Sequence, residues 1–232
     1  MFLRLILFYI IFCFSYLHTA ETGKLVAFVG ISGSGKSTLT KEVAQHFKGE
    51  CFLEPEEDSW PDFVRQKQPY GEFGSLMTIR SIRVHSLWKA WDVKQKGEWV
   101  FVDTYYDKIN YYNLGKPGME WLIDPNDTYF DIAKDVTYKD FQSLPDVDLI
   151  VFIDIDYESW IQLLRKRNRE KDFIEGFQES YSFARKYLLE AIQDLSQKRK
   201  IPFIIFEQKI GDLTNQAAQL SEKIKEQGAI HE

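Results

Sequence analysis

Gly30 to Thr38 reads GISGSGKST and fits the pattern G-x-x-x-x-G-K-[ST] completely, with Gly30 and Gly35 as the fixed glycines followed by Lys36 and Ser37. Small residues also stand at Ser32, Gly33 and Ser34. This is a pattern for holding phosphate. Glycines let a loop wrap around phosphoryl oxygens, its N–H groups and the following helix N-terminus supply positive dipole, Lys36 meets the β and γ oxygens, and Ser37 ligates magnesium. The expected cofactors are ATP and Mg2+. A chance glycine loop is the alternative, and the strand and helix signals on either side weigh against it.

Three further segments carry chemistry. FLEPEEDSW places Glu54 just after a short apolar run, near the γ-phosphate end of such a site, where a carboxylate accepts a proton from an attacking hydroxyl. The alternative is a solvated acidic loop, because Glu54, Glu56, Glu57 and Asp58 repel one another. Asp103 closes the apolar run Trp99 to Val102 and would hold magnesium through water or place the acceptor; as a strand-end turn residue it would do neither. RKRNRE, Arg165 to Glu170, sets Arg165, Arg167 and Arg169 at alternate positions. Guanidinium groups neutralise charge spreading over phosphoryl oxygens, and a basic lid closing over ATP excludes water. A basic helix C-terminus favoured by the macrodipole explains the same residues without a lid. Asp154 and Asp156 flank another strand end, and Asp156 reads first as a helix N-cap.

The elements that must position these residues alternate. Lys24 to Gly30 (KLVAFVG) reads as a buried parallel strand, Ser37 to Lys48 as a helix stopping before Gly49, and Cys51 to Leu53 as a strand opening into a loop. Phe73 to about Lys96 reads as a long helix broken at Gly97, and Trp99 to Val102 as a strand. The aromatic and polar segment TYYDKINYYNLGKPG has the composition of a substrate loop, and Pro125 to Leu144 contains one helix face. Asp148 to Ile155 and Ile201 to Phe206 read as buried strands; Tyr157 to Arg169, Phe173 to Arg199 and Leu213 to Lys225 read as helices. The fold class is therefore α/β, a three-layer parallel sheet of about five strands with helices on both faces and an arginine-rich lid. Ligands then sit beyond the carboxyl ends of the strands.

Composition bounds the rest. A chain of 232 residues with 44% hydrophobic and 28% charged residues buries one sizeable core, so one domain is expected. A formal net charge of -6 gives no global positive field for a nucleic-acid polymer. The aromatic content of 16% lines a flat-ring pocket or fills ordinary core and rim. Cys13 and Cys51 are the two cysteines, so no disulfide framework forms within the globular part.

Phe2 to Leu17 is nearly all apolar but shorter than the roughly 20 residues that span a bilayer. Residues 1–20 thus read as a signal peptide or membrane anchor preceding a domain over 21–232, although His18 makes a poor cleavage site after Ala20. A start assigned too early is the third reading. The segment implies a secreted or membrane-attached protein, whereas ATP chemistry implies the cytoplasm.

From Lys24 to the C-terminal region the chain resembles the deoxynucleoside kinases, within the nucleoside and nucleotide kinases that include thymidylate kinase. Glu54, Pro55 and Trp60 match the Glu-Pro segment and later Trp that follow that family's P-loop, and Arg165, Arg167 and Arg169 match its lid. Phe73 falls near the aromatic placed beside the base. The resemblance implies a P-loop kinase fold and a general base at Glu54. Two departures bear on the acceptor. Gly74 stands where the family has a base-reading glutamine, and Asp103, Thr104 and Tyr105 replace Glu-Arg-Ser or Asp-Arg-Tyr, so an arginine is missing unless Arg80 or Arg83 supplies it.

The expected function is transfer of the γ-phosphoryl group of ATP to a small-molecule acceptor, foremost a deoxynucleoside 5'-hydroxyl. Catalysis would rest on Lys36, Glu54, Asp103 and the lid arginines, ATP on Gly30, Ser32 to Thr38, and magnesium on Ser37 and Asp103. Trp60, Phe73, Arg80, Arg83 and Tyr105 would line the acceptor pocket. A nucleoside monophosphate acceptor is the alternative, and a nucleotide-binding module without turnover is the rival of another class. Partners expected besides the nucleoside or nucleotide are a membrane, through residues 1–20, and a second copy in a homodimer.

Overall fold

The computed structural model describes residues 23–56, 59–62, 64, 71–120, 122–167 and 177–230. The N-terminal apolar segment and Arg169 lie outside the described residues. Five strands, β1 (Leu25–Val29), β2 (Glu50–Phe52), β3 (Val100–Val102), β4 (Leu149–Asp154) and β5 (Phe203–Glu207), form one sheet in the order β2-β3-β1-β4-β5. Every pairing is parallel. The glycine-loop strand β1 is central, with Ala27 opposite Val102 of β3 and Ile150 of β4.

Side chains of a strand alternate between faces, so a strand covered on both sides must be apolar throughout. LVAFV in β1 is buried at all five positions. Leu25, Ala27 and Val29 face one core with Val102, Ile150 and Phe152, whereas Val26 and Phe28 face the other with Phe101, Val151 and Ile153. The second core is covered by α1 (Lys36–Phe47) and α7 (Leu213–Ile230) through Leu39, Val43, Leu220 and Ile224. The first is covered by α2 (Glu72–Lys94), α3 (Tyr106–Asn113) and α6 (Phe177–Arg199) through Leu87, Ile109, Leu188 and Ile192. The remaining helices among the described residues are α4 (Phe130–Ser143), packed beside α3, and α5 (Tyr157–Arg167) after β4. The result is the α/β sandwich expected from the alternating pattern.

Two local expectations change. The segment after β3 holds the helix α3 instead of an open loop, because much of its buried face is polar and paired. Asp107 bonds Arg83, and the fully buried Lys108 donates to the Leu144 carbonyl and pairs with Asp146 at 2.8 Å. Hydrophobic periodicity does not register such a face. β5, expected to be buried, is an edge strand with Ile205 exposed. Asp156 does cap α5, accepting from the Ser159 N–H at 2.8 Å, and these hydrogen bonds hold its carboxyl below the usual range.

Candidate active site

The loop between β1 and α1 opens at the carboxyl ends of the strands, where parallel sheets place ligands. Gly33 and Gly35 have φ of 78° and 82°, left-handed values that glycine adopts at no steric cost. A Cβ on Gly33 would also lie 2.4 Å from Leu164 Cδ2. Lys36 Nζ donates to the Ile31 carbonyl at 2.9 Å, inside the loop, and Ser34 is fully buried. The loop borders a cleft of about 720 Å3. From Ser32, Gly33 and Gly35 to Thr38, the cleft runs on one side to Glu54, Trp60 and Asp103, and on the other to Gln208 and Leu213.

Asp103 links the loop to the end of β2. Its Oδ2 accepts from Ser37 Oγ at 2.5 Å and its Oδ1 accepts the Glu54 backbone N–H at 2.7 Å. A hydroxyl and a carboxylate in contact form a hard-oxygen pair suited to Mg2+, which favours one or two carboxylates together with substrate phosphates. Among the described residues no group of three His, Cys, Asp or Glu forms a metal site of its own, so a cation here would draw its other ligands from a triphosphate and water. Burial raises the pKa of Asp103, opposed by the Ser37 hydrogen bond.

Beyond Glu54 lies a ladder of charges. Arg83 of α2 binds both oxygens of Asp107, at 2.7 and 2.9 Å, and sends Nη1 to Glu54 Oε1 at 3.3 Å. One turn earlier on α2, Arg80 grips both oxygens of Asp140, each at 2.5 Å. Burial pushes the Glu54 carboxyl above its usual range, and the Arg83 cation and its hydrogen bond pull it partly back. An arginine thus touches the carboxylate at the end of β2 although none follows Asp103. It arrives from α2.

Trp60 lines the cleft with its indole N–H on the Pro55 carbonyl at 3.0 Å, and Phe73 stacks on Tyr129 at 5.1 Å. A Cβ at Gly74 would meet nothing within 4 Å, so the place of the missing glutamine is open. Tyr105 lies elsewhere: it is 2% exposed in the core and its hydroxyl donates to the Pro145 carbonyl. Its neighbour Tyr106 reaches the loop instead, donating to the Gly30 carbonyl at 2.6 Å. On α5 the cleft is bordered by Lys166 and Arg167, while Arg165 is exposed away from it. Tyr106, Asp107, Asp140, Lys166 and Gln208 were not singled out from the sequence, although Lys166 lies within the basic run RKRNRE and Tyr106 and Asp107 within the aromatic segment after β3.

No protein-family profile matches the chain, and no curated protein does. Solved structures do match. Deoxyadenosine kinase from M. mycoides with bound dATP superposes with a TM-score of 0.63 at 18% identity, covering 87% of this chain and 99% of that one. The same kinase with the products dCMP and a flexible dCDP gives 0.60 over the same shares, also at 18% identity. Thymidylate kinase from Candida albicans gives 0.56 at 15% identity, covering 89% and 94%. The fold is that of the P-loop nucleoside and nucleotide kinases.

Proposed function

We propose that the chain transfers the γ-phosphoryl group of ATP to the 5'-hydroxyl of a deoxynucleoside, yielding ADP and the deoxynucleoside 5'-monophosphate. The coarser reading, phosphoryl transfer to a nucleoside or nucleotide, is supported by neighbours that are themselves deoxyadenosine and thymidylate kinases. The choice of a hydroxyl acceptor rests on the charge ladder. Arg80 and Arg83 are each engaged by a carboxylate, and with Glu54 the ladder holds two cations against three carboxylates. Both guanidinium groups are thus already paired with carboxylates, so neither offers an acceptor phosphate an uncompensated positive charge, and the arrangement suits a neutral nucleoside.

In this reading Glu54 takes the 5'-hydroxyl proton as that oxygen bonds the γ-phosphorus, and the bond to the ADP oxygen breaks. Lys36 and the loop N–H groups hold the phosphates, Ser37 and Asp103 would hold Mg2+, and Lys166 and Arg167 stabilise the transferring charge. Bound magnesium would add charge neutralisation on the phosphoryl oxygens. Trp60, which lines the cleft, offers a flat surface to the acceptor base.

Initial rates with a deoxynucleoside and with its own 5'-monophosphate, at equal concentration with ATP and Mg2+, test the assignment. Turnover of the nucleoside is expected. Turnover of the monophosphate alone would replace this reading with a monophosphate kinase, and none with either, despite ATP binding, with a binding module.

The pH profile follows from the same groups. A base must be ionised to work, and burial raises the Glu54 pKa, so the acid limb of kcat is expected above the ordinary glutamate value of about 4.3. Arg83→Ala removes the cation that lowers this pKa, so the limb moves to still higher pH. A stopped-rate pH series on both proteins measures the displacement.

A further inference from the structure

In a trans peptide the C=O of one residue and the N–H of the next point in opposite directions. A loop that turns N–H groups toward phosphate therefore turns carbonyls outward, and each of those needs a donor. Side chains supply three of these donors, while the backbone N–H groups of Ser34 and Leu39 also serve the Ile31 and Gly35 carbonyls. Lys36 Nζ serves Ile31, Tyr106 Oη serves Gly30 at 2.6 Å, and Trp160 Nε1 serves Ser32 at 2.8 Å. Lys36 belongs to the loop and, in the reading above, also serves the phosphates. Tyr106 and Trp160 come from outside it, on α3 and α5, and can stay in place.

We infer that Trp160 and Tyr106 are positioning residues that preset the peptide planes of the phosphate loop for a nucleoside triphosphate. The inference rests on the ATP reading above. By holding the Ser32 carbonyl, Trp160 turns the Gly33 N–H to the opposite side of that peptide, toward the cleft that Ser32 and Gly33 border. The indole is itself fixed. It is 7% exposed, with the rings of Tyr157 and Tyr181 at 6.1 and 5.4 Å, and Tyr181 donates to the Ile155 carbonyl at 2.6 Å. One turn further along α5, Leu164 lies against Gly33, and the next residues that reach the cleft are Lys166 and Arg167. The helix that carries the basic residues is thus tied to the loop it serves.

Tyr106 makes the corresponding tie on the acceptor side. Its ring lies 5.8 Å from the Arg83 guanidinium, the group that contacts Glu54, while its hydroxyl holds Gly30. One side chain therefore touches both the donor loop and the arginine of the acceptor ladder.

Trp160→Phe and Tyr106→Phe each delete one donor and keep an aromatic ring in place. Titration of the full chain with a non-hydrolysable ATP analogue and Mg2+ is expected to show binding weakened by about three- to tenfold per donor. The acceptor KM should hardly change, Tm should fall by a few degrees for the lost donor, and in Trp160→Phe the Gly33 amide resonance should move before nucleotide is added. Wild-type affinity in both variants would overturn the clamp while leaving ATP binding intact. Weakened binding accompanied by an equal-fold rise in acceptor KM would also overturn it, as ordinary packing. Failure of the wild-type chain to bind the analogue would overturn both the clamp and the ATP reading.

Discussion

Glu54→Gln is expected to lower kcat for deoxynucleoside phosphorylation by about 10²- to 10⁴-fold, the usual worth of a general base. ATP affinity should stay close to wild type. The substitution keeps the shape of the side chain and an oxygen for Arg83, whose principal hold on Asp107 is untouched. The Glu54 backbone remains pinned to Asp103 at 2.7 Å. What disappears is the proton acceptor. Stability should not fall: burial raises the folded-state pKa, so above the unfolded pKa the ionised carboxylate costs stability, and glutamine removes that cost. Single-turnover kinetics with a thermal melt on the same sample check both statements. If the acceptor were a monophosphate already ionised at neutral pH, the same change would cost little.

Lys36→Ala should cost about as much by a different route, lowering kcat by about 10²- to 10³-fold and weakening ATP severely. The ammonium is the one cation built into the loop, it is nine-tenths buried, and it donates to the Ile31 carbonyl at 2.9 Å. Its removal takes away the point charge for the β and γ oxygens and leaves the Ile31 carbonyl with the Ser34 N–H alone, at 3.3 Å. Calorimetric titration with the ATP analogue distinguishes this loss from that in Glu54→Gln, in which binding persists and only turnover fails.

These two residues were legible because their signals are local. GISGSGKST is contiguous, and Glu54 and Asp103 each stand immediately after an apolar run, so strand ends could be placed from sequence. Residues that act across the fold were less visible. Arg83 was a candidate without an assigned contact, since its partners Glu54 and Asp107 lie 29 and 24 positions away. The missing arginine after Asp103 looked like a gap; the structure brings a guanidinium to Glu54 from another helix. Tyr105 and Tyr106 differ by one step at a helix start, where each residue rotates by about 100°, and composition cannot say which ring turns to the loop. The same rotation separates exposed Arg165 from Lys166 and Arg167, once Trp160 and Leu164 set the face of α5 that meets the loop. The helix α3 was hidden because Asp107 and Lys108 are buried by pairing.

The most direct measurement incubates the chain with ATP, Mg2+ and a pool of deoxynucleosides and their monophosphates, and follows phosphorylated products by mass. A deoxynucleoside acceptor requires that a deoxynucleoside become its 5'-monophosphate with one ADP formed per product, and that Glu54→Gln suppress this while still binding ATP. Diphosphates formed from the monophosphates with no nucleoside consumed, or no product of either kind despite bound ATP, would contradict it.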